Sequence, residues 1–233
     1  AGGQDTGFKG AEAIISDPGA IVHEYAKEVG FKAEETILVY DLGGGTLDVT
    51  ILTVRENTFV VKAHAGNTKL GGQDFTSEVM KYAEEYFKAN YNDREHIDGP
   101  DKKRFLWEEC ELAKRALSNG SCLQTRIRYD CSFQADIKRT DFESMNKNAF
   151  ESALKCIEDV LRYAKLAVHN IDRVILTGGS TKIHEMVKKF FNGKNLSTDI
   201  DPDEAVAKGE AIYAAVLTGD QSLQLRNFVL IDL

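Results

Sequence analysis

Apolar and polar positions recur along this chain with two different periods, and the changes of period divide it into elements. Ala11 to Val29 carries Ala, Ile and Val on one side at helical spacing, with an interruption expected near Pro18. Ile37 to Tyr40 is a short apolar run that predicts a buried strand, and a glycine turn follows at Gly43-Gly44-Gly45. Beyond the turn, Leu47, Val49 and Ile51 alternate with polar Asp48 and Thr50, and Thr58 to Ala65 is rich in β-branched residues. These three runs predict an antiparallel meander.

After Gly71-Gly72 the period changes: Phe75, Val79, Tyr82, Ala83, Tyr86 and Phe87 recur at helical spacing. Asp98-Gly99-Pro100 breaks the chain, and Asp101 to Ser118 is a second helix. Leu123 to Ile137 predicts two strands. Thr140-Asp-Phe-Glu143 has the form of a capping box and opens a helical stretch to about Val168, long enough for two helices. Arg173 to Thr177 predicts another buried strand, ending at Gly178-Gly179-Ser180 and leading into a helix. Pro202 marks the start of a last helix, Asp203 to Leu217, and Phe228 to Ile231 is a short apolar run. Strands, helices, strands, helices is the order of a mixed α/β chain with a helical subdomain inserted in the middle.

Composition narrows the function classes. The 233 residues carry a formal net charge of −8, and an acidic surface argues against sequence-independent binding to nucleic acid. No apolar run approaches the roughly 20 residues needed to span a bilayer. The 4 cysteines form no C-x-x-C pair, which fits reduced thiols and a cytoplasmic location rather than a zinc site. The chain opens on Ala1-Gly2-Gly3 without Met, so it is expected to be a piece of a longer protein.

Three segments carry candidate chemistry. Asp41-Leu-Gly-Gly-Gly-Thr-Leu-Asp48 lies between two strands. Three glycines there free the backbone for positive φ, remove side-chain bulk and let main-chain N–H groups approach a phosphate. Thr46 offers a hydroxyl to the same anion, and Asp41 could hold the water shell of Mg²⁺. On the second helix, Glu111, Lys114, Arg115 and Ser118 share one face, separate from an apolar stripe of Leu106, Cys110, Ala113 and Leu117. A solvated charged face is the plain explanation. The chemical alternative is that carboxylate and hydroxyl bind ribose while the cationic stems cover adenine. The third segment, Ile175 to Lys182, again runs from strand through glycines to helix and presents donors at a helix N-terminus. Trp107, Met80 and Met145 sit at helical positions expected to serve the core.

Asp41 to Leu52 closely resembles the second phosphate motif of the heat-shock 70 kDa chaperones. So do Leu70-Gly-Gly-Gln-Asp-Phe75, Glu111-Leu-Ala-Lys-Arg115, Gly178-Gly-Ser-Thr-Lys182, Phe191-Asn-Gly-Lys194 and Asp201-Pro-Asp-Glu-Ala-Val206. The resemblance implies an α/β fold: an actin-like ATPase (ribonuclease H-like) lobe with an inserted α+β subdomain. Residues 1–96 and 170–221 would form its base, 97–169 the inserted subdomain, and 222–233 the linker to a peptide-binding domain. It implies ATP or ADP with Mg²⁺ as cofactors, and a catalytic centre of Asp41, Thr46 and Asp17. Gly43, Gly44, Gly45 and Thr46 would take the phosphates, and Glu111, Lys114, Arg115 and Ser118 the adenosine. Gly72, Gly179, Ser180, Lys182 and Asp203 would line the same pocket. Unfolded polypeptide clients, J-domain co-chaperones and nucleotide-exchange factors are the implied partners, with neither nucleic acid nor membrane among them.

This sequence departs from the family's pattern at several places. Asp17 stands where a Glu is usual, Lys182 replaces an adenine-stacking Arg, and Asn67 and Gln73 replace acids. The helix after Lys182 is about a turn short. The family's first lobe, with its own phosphate loop and a catalytic lysine, has no counterpart here. We therefore expect weak nucleotide binding and little or no ATPase activity from this chain alone. A regulatory or nucleotide-exchange relative, and a sugar kinase of the same superfamily, are the alternatives left open.

Overall fold

The computed structural model describes residues 15–55, 58–90, 99–118, 122–129, 134–179, 184–218 and 229–231. Helix α1 (Asp17–Glu28) begins at the proline rather than breaking there. Proline lacks only an N–H that the first turn leaves unpaired in any case. The Ser16 carbonyl accepts the first helical bond, from Ala20 N at 2.9 Å. Strands β1 (Glu34–Leu42), β2 (Leu47–Arg55) and β3 (Thr58–Asn67) then form the expected antiparallel meander.

Helices α2 (Gly72–Asn90) and α3 (Pro100–Ser118) follow, and a hairpin of β4 (Gln124–Arg128) and β5 (Gln134–Lys138) forms a separate two-stranded sheet. Helices α4 (Arg139–Met145) and α5 (Lys147–Ala164) realise the expected pair. The capping box on Thr140 is not used: the helix begins one residue earlier, and the Lys138 N–H donates to the Asp141 carboxylate at 3.1 Å. Lys165 ends α5 in the left-handed region, φ 54°, three residues short of Val168.

β6 (Arg173–Thr177) and α6 (His184–Phe190) come next, and α7 (Ala205–Leu217) closes the series of helices. It starts three residues after Pro202, because the Pro202 carbonyl is committed elsewhere. It accepts from Gly178 N at 3.0 Å and from Thr177 Oγ1 at 3.1 Å, which holds the turn against the end of β6. The apolar tail is a strand, β7 (Val229–Ile231), parallel to β3.

The main sheet has the order β6-β1-β2-β3-β7, mixed because both edge strands run parallel to their neighbours. Its strands are apolar on both faces, so helices must cover both. Leu38, Tyr40, Leu42, Leu47, Val49 and Ile51 face α2, α3 and α5, and this core continues without interruption into the hairpin through Ile127, Ala135 and Ile137. Ile37, Val39, Leu52 and Val54 face the opposite way, onto Ile21, Val22 and Tyr25 of α1. Such a helix-covered sheet is the expected α/β class. Among the described residues no helix is long and apolar enough to cross a membrane.

Helices α1 and α7 pack so closely at Gly209 that a side chain at this position would have no room. A Cβ built on Gly209 would lie 1.9 Å from the Ala20 carbonyl oxygen. Replacing glycine by alanine inside a helix ordinarily stabilises by ~1 kcal/mol. Here the backbone clash outweighs that gain, and Gly209→Ala should lower stability by about 1–3 kcal/mol. Urea denaturation checks this, and a variant as stable as the parent would contradict the packing.

Candidate functional site

The ends of β1, β6 and α2 meet at one place, and main-chain geometry there decides which groups are available. The first amides of α2 have no helical partner. Gly72 N donates to the Gly43 carbonyl at 3.0 Å, and Gln73 N donates to the Gly44 carbonyl at 2.8 Å. A trans peptide points its N–H opposite to its C=O. With the carbonyls of Gly43 and Gly44 turned onto α2, the N–H groups of Gly44 and Gly45 must point away from it. Gly44, Gly45 and Thr46 are exposed, and among the described residues their amides make no hydrogen bond within the protein. The turn itself is closed by Gly43 N donating to the Thr46 carbonyl at 2.9 Å.

The expected positive φ is absent from this loop; the described positive-φ glycines are Gly30, Gly99, Gly178 and Gly193. Nor does packing require glycine here. A Cβ on Gly45 would meet nothing within 4 Å, and on Gly44 only Gln73 Nε2 at 3.9 Å. Gly71 and Gly178 contrast with them: a Cβ there would lie 2.4 Å from the Gly45 nitrogen or from the Leu42 carbonyl oxygen. So Gly71 and Gly178 let the turn and its neighbours close up, whereas the triple glycine leaves a surface bare.

On α3, burial of the apolar stripe Leu106, Cys110, Ala113 and Leu117 turns the charged face toward the same region. Lys114 Nζ donates to the Gly72 carbonyl at 2.9 Å and lies 2.7 Å from Glu111 Oε2. Glu111 also accepts from Thr76 Oγ1 at 2.5 Å and from Arg115 Nε at 2.8 Å. Burial alone would raise the Glu111 pKa, but the hydrogen bonds from Lys114, Thr76 and Arg115 outweigh it and hold the carboxyl down to about 2. Glu111 is a fixed anion and Lys114 a nearly buried cation, which is not the behaviour of a solvated charged face. The Ser118 hydroxyl donates to the Lys114 carbonyl at 2.8 Å.

Gly44, Gly72, Glu111, Lys114, Arg115, Ser118, Gly179 and Asp203 line one cavity of about 1650 Å³. Glycine at 179 makes room for the Asp203 carboxylate, whose Oδ1 would lie 2.6 Å from a Cβ there. Gly43, Gly45 and Thr46 belong to the adjoining turn, Asp41 lies near the end of β1 that leads into it, and Asp17 stands exposed at the start of α1. Ser180 and Lys182 lie outside the described residues. Other contributors were not foreseen, among them Thr76, Gln73 and Trp107. Thr76 sits four residues along α2 from Gly72, a spacing visible in the sequence. Gln73 lines the cavity with an uncharged amide, and Trp107, expected in the core, lines it too.

Asp41 is directly opposite Asp48 in the β1–β2 register. Burial, then the charges of Asp17 and Asp48, raise its pKa to about 6. Among the described residues no group of three or more potential ligands could hold a metal ion. A cation here would take Asp41 as an anchor and complete its shell with water and an anionic ligand, the habit of Mg²⁺.

The chain from residue 7 to 233 matches the family model described as Hsp70 protein. It is 38% identical over 229 residues to the "Heat shock 70 kDa protein" of Ajellomyces capsulatus, covering 94% of this chain and 32% of that one. It is 37% identical over 230 residues to "Heat shock cognate 70 kDa protein 3" of Dictyostelium discoideum, covering 95% and 36%. It is 38% identical over 232 residues to a ribosome-associated molecular chaperone of Saccharomyces cerevisiae, covering 94% and 37%. The chain thus spans about a third of the length of the curated relatives it matches.

The raised pKa of Asp41 gives a test by pH. Between about pH 4 and pH 6 the folded chain keeps a proton that the unfolded chain has released, so stability falls as pH rises through that window. Asp41→Asn stays neutral and removes the penalty. Its stability should equal the parent's near pH 4 and exceed it at pH 7.5 by on the order of 1 kcal/mol. Urea midpoints at both pH values measure this; an equal difference at the two would contradict it.

Proposed function

This chain belongs to the Hsp70 family, and from that premise we propose that it is a nucleotide-binding lobe of an Hsp70-type chaperone. The observation that carries the reading is a single cavity lined by Gly44, part of the turn with bare main-chain amides, and by the Glu111–Lys114–Arg115 grip. In this reading the N–H groups of Gly44 and Gly45, with Thr46, take the phosphates of ATP or ADP. Glu111 and Ser118 meet the ribose, and the stems of Lys114 and Arg115 cover the base. Gly72, Gly179, Ser180, Lys182 and Asp203 complete the wall. Asp41, with Asp17 nearby, would hold a Mg²⁺ ion, which when bound would neutralise phosphate charge.

The proposed division is a base of residues 1–96 and 170–221, an inserted subdomain of 97–169 and a linker of 222–233. Two separate sheets support it, although α5, inside the inserted stretch, lies on the larger sheet. In the whole protein, ATP hydrolysis would drive binding and release of unfolded polypeptides, assisted by J-domain and nucleotide-exchange partners, in the cytoplasm. Alone, this chain would supply one wall of the cleft, bind nucleotide weakly and turn over little of it. A relative that binds nucleotide mainly for structure is a second reading, favoured by the neutral Gln73 in the cavity wall.

Gly45→Ala tests the phosphate role without disturbing the fold, because the added carbon has open space. Stability should stay within about 0.5 kcal/mol. Affinity for Mg·ADP, read by calorimetry, should fall at least about tenfold. Unchanged affinity would refute the assignment.

A further inference from the structure

A second, smaller cavity of about 420 Å³ opens between α1, α7 and the segment before α7. Its wall includes Glu24, which is 3% exposed and whose Oε2 is buried with no hydrogen-bond partner among the described residues. A buried carboxylate is costly unless a cation or donors meet it. Two ammonium groups favour its charge from nearby, but each is bonded to a different carboxylate. Lys27 Nζ binds Glu28 Oε1 at 2.9 Å, and Lys208 Nζ binds Glu204 Oε2 at 2.8 Å. Burial and the charge of Glu28 accordingly push the Glu24 carboxyl above its ordinary range.

The rest of the wall restricts what could satisfy Glu24. Asp199 and Asp201 stand beside the cavity with Glu28, so four carboxylates face two lysines. Ile200, Ala211 and Ile212 supply an apolar side. No described set of acids could hold a metal ion, so a bare divalent cation is a poor match. An apolar wall leading to a buried carboxylate suits a cation on a hydrocarbon stem. Among such cations, the planar guanidinium pairs with a carboxylate through two parallel hydrogen bonds and is more weakly hydrated than an ammonium.

We propose that the α1–α7 cavity is a docking site for an arginine side chain of a partner polypeptide, with Glu24 as its anionic anchor. The site is separate from the proposed nucleotide cleft and stands or falls independently of it.

Methyl NMR of the full chain, observing Ile200 and Ile212 while adding N-acetyl-arginine amide, tests this. Saturable shifts are expected, with affinity at least about fivefold above that of the neutral isostere N-acetyl-citrulline amide. Glu24→Gln should abolish that preference while leaving distant methyl signals in place. Lys208→Gln, which removes a nearby competing cation, should strengthen arginine binding. Equal binding of the two amides, a preference that survives Glu24→Gln, or weaker binding to Lys208→Gln would each overturn the proposal.

Discussion

Gly72 ties the two halves of the candidate site together. Its N–H holds the Gly43 carbonyl, and its own carbonyl receives Lys114 Nζ. One residue therefore fixes the glycine turn against α2 and also fixes the charged face of α3 against the same helix. Because these bonds consume the turn's carbonyls, its amides are left pointing outward. Because they hold Lys114 in place beside Glu111, Glu111 is kept as a permanent anion. The bare anion cradle and the polar grip are consequences of the same packing.

That packing rests on the core. The sheet is covered by helices on both faces, and the continuous core on the α2 and α3 side fixes the depth at which Glu111 and Lys114 sit. On the other face, Gly209 lets α7 approach α1, and the Pro202 carbonyl holds the turn before α7 against the end of β6. Asp41 carries the electrostatic burden of the arrangement. Burial and two neighbouring carboxylates make its charge unfavourable in the free chain, the condition that an arriving cation relieves.

Much of this was legible in the sequence, for identifiable reasons. A short apolar run, a period-two run and a β-branched run located the meander, and the stripe Leu106–Cys110–Ala113–Leu117 fixed which face of α3 is buried, and so which faces the cavity. Local rules misled where a distant partner decided the outcome. Thr140 lost its capping role because Asp141 serves the Lys138 N–H, and Pro202 lost its helix start to Gly178 and Thr177. The triple glycine suggested unusual dihedrals, whereas what it provides is absence of bulk beside hydrogen-bonded carbonyls. The parallel pairing of β6 and β7 could not be read, since strand neighbours far apart in sequence leave no local signal. The resemblance contributed the family and the expected roles, and the register and hydrogen bonds contributed the reason those residues converge.

The most direct measurement is an amide NMR titration of this chain with Mg·ADP. The account predicts the largest shifts at Gly44, Gly45 and Thr46 together with Glu111 to Ser118, saturating with a single affinity. Saturable shifts confined to one of these two segments, or lying elsewhere on the chain, would contradict it.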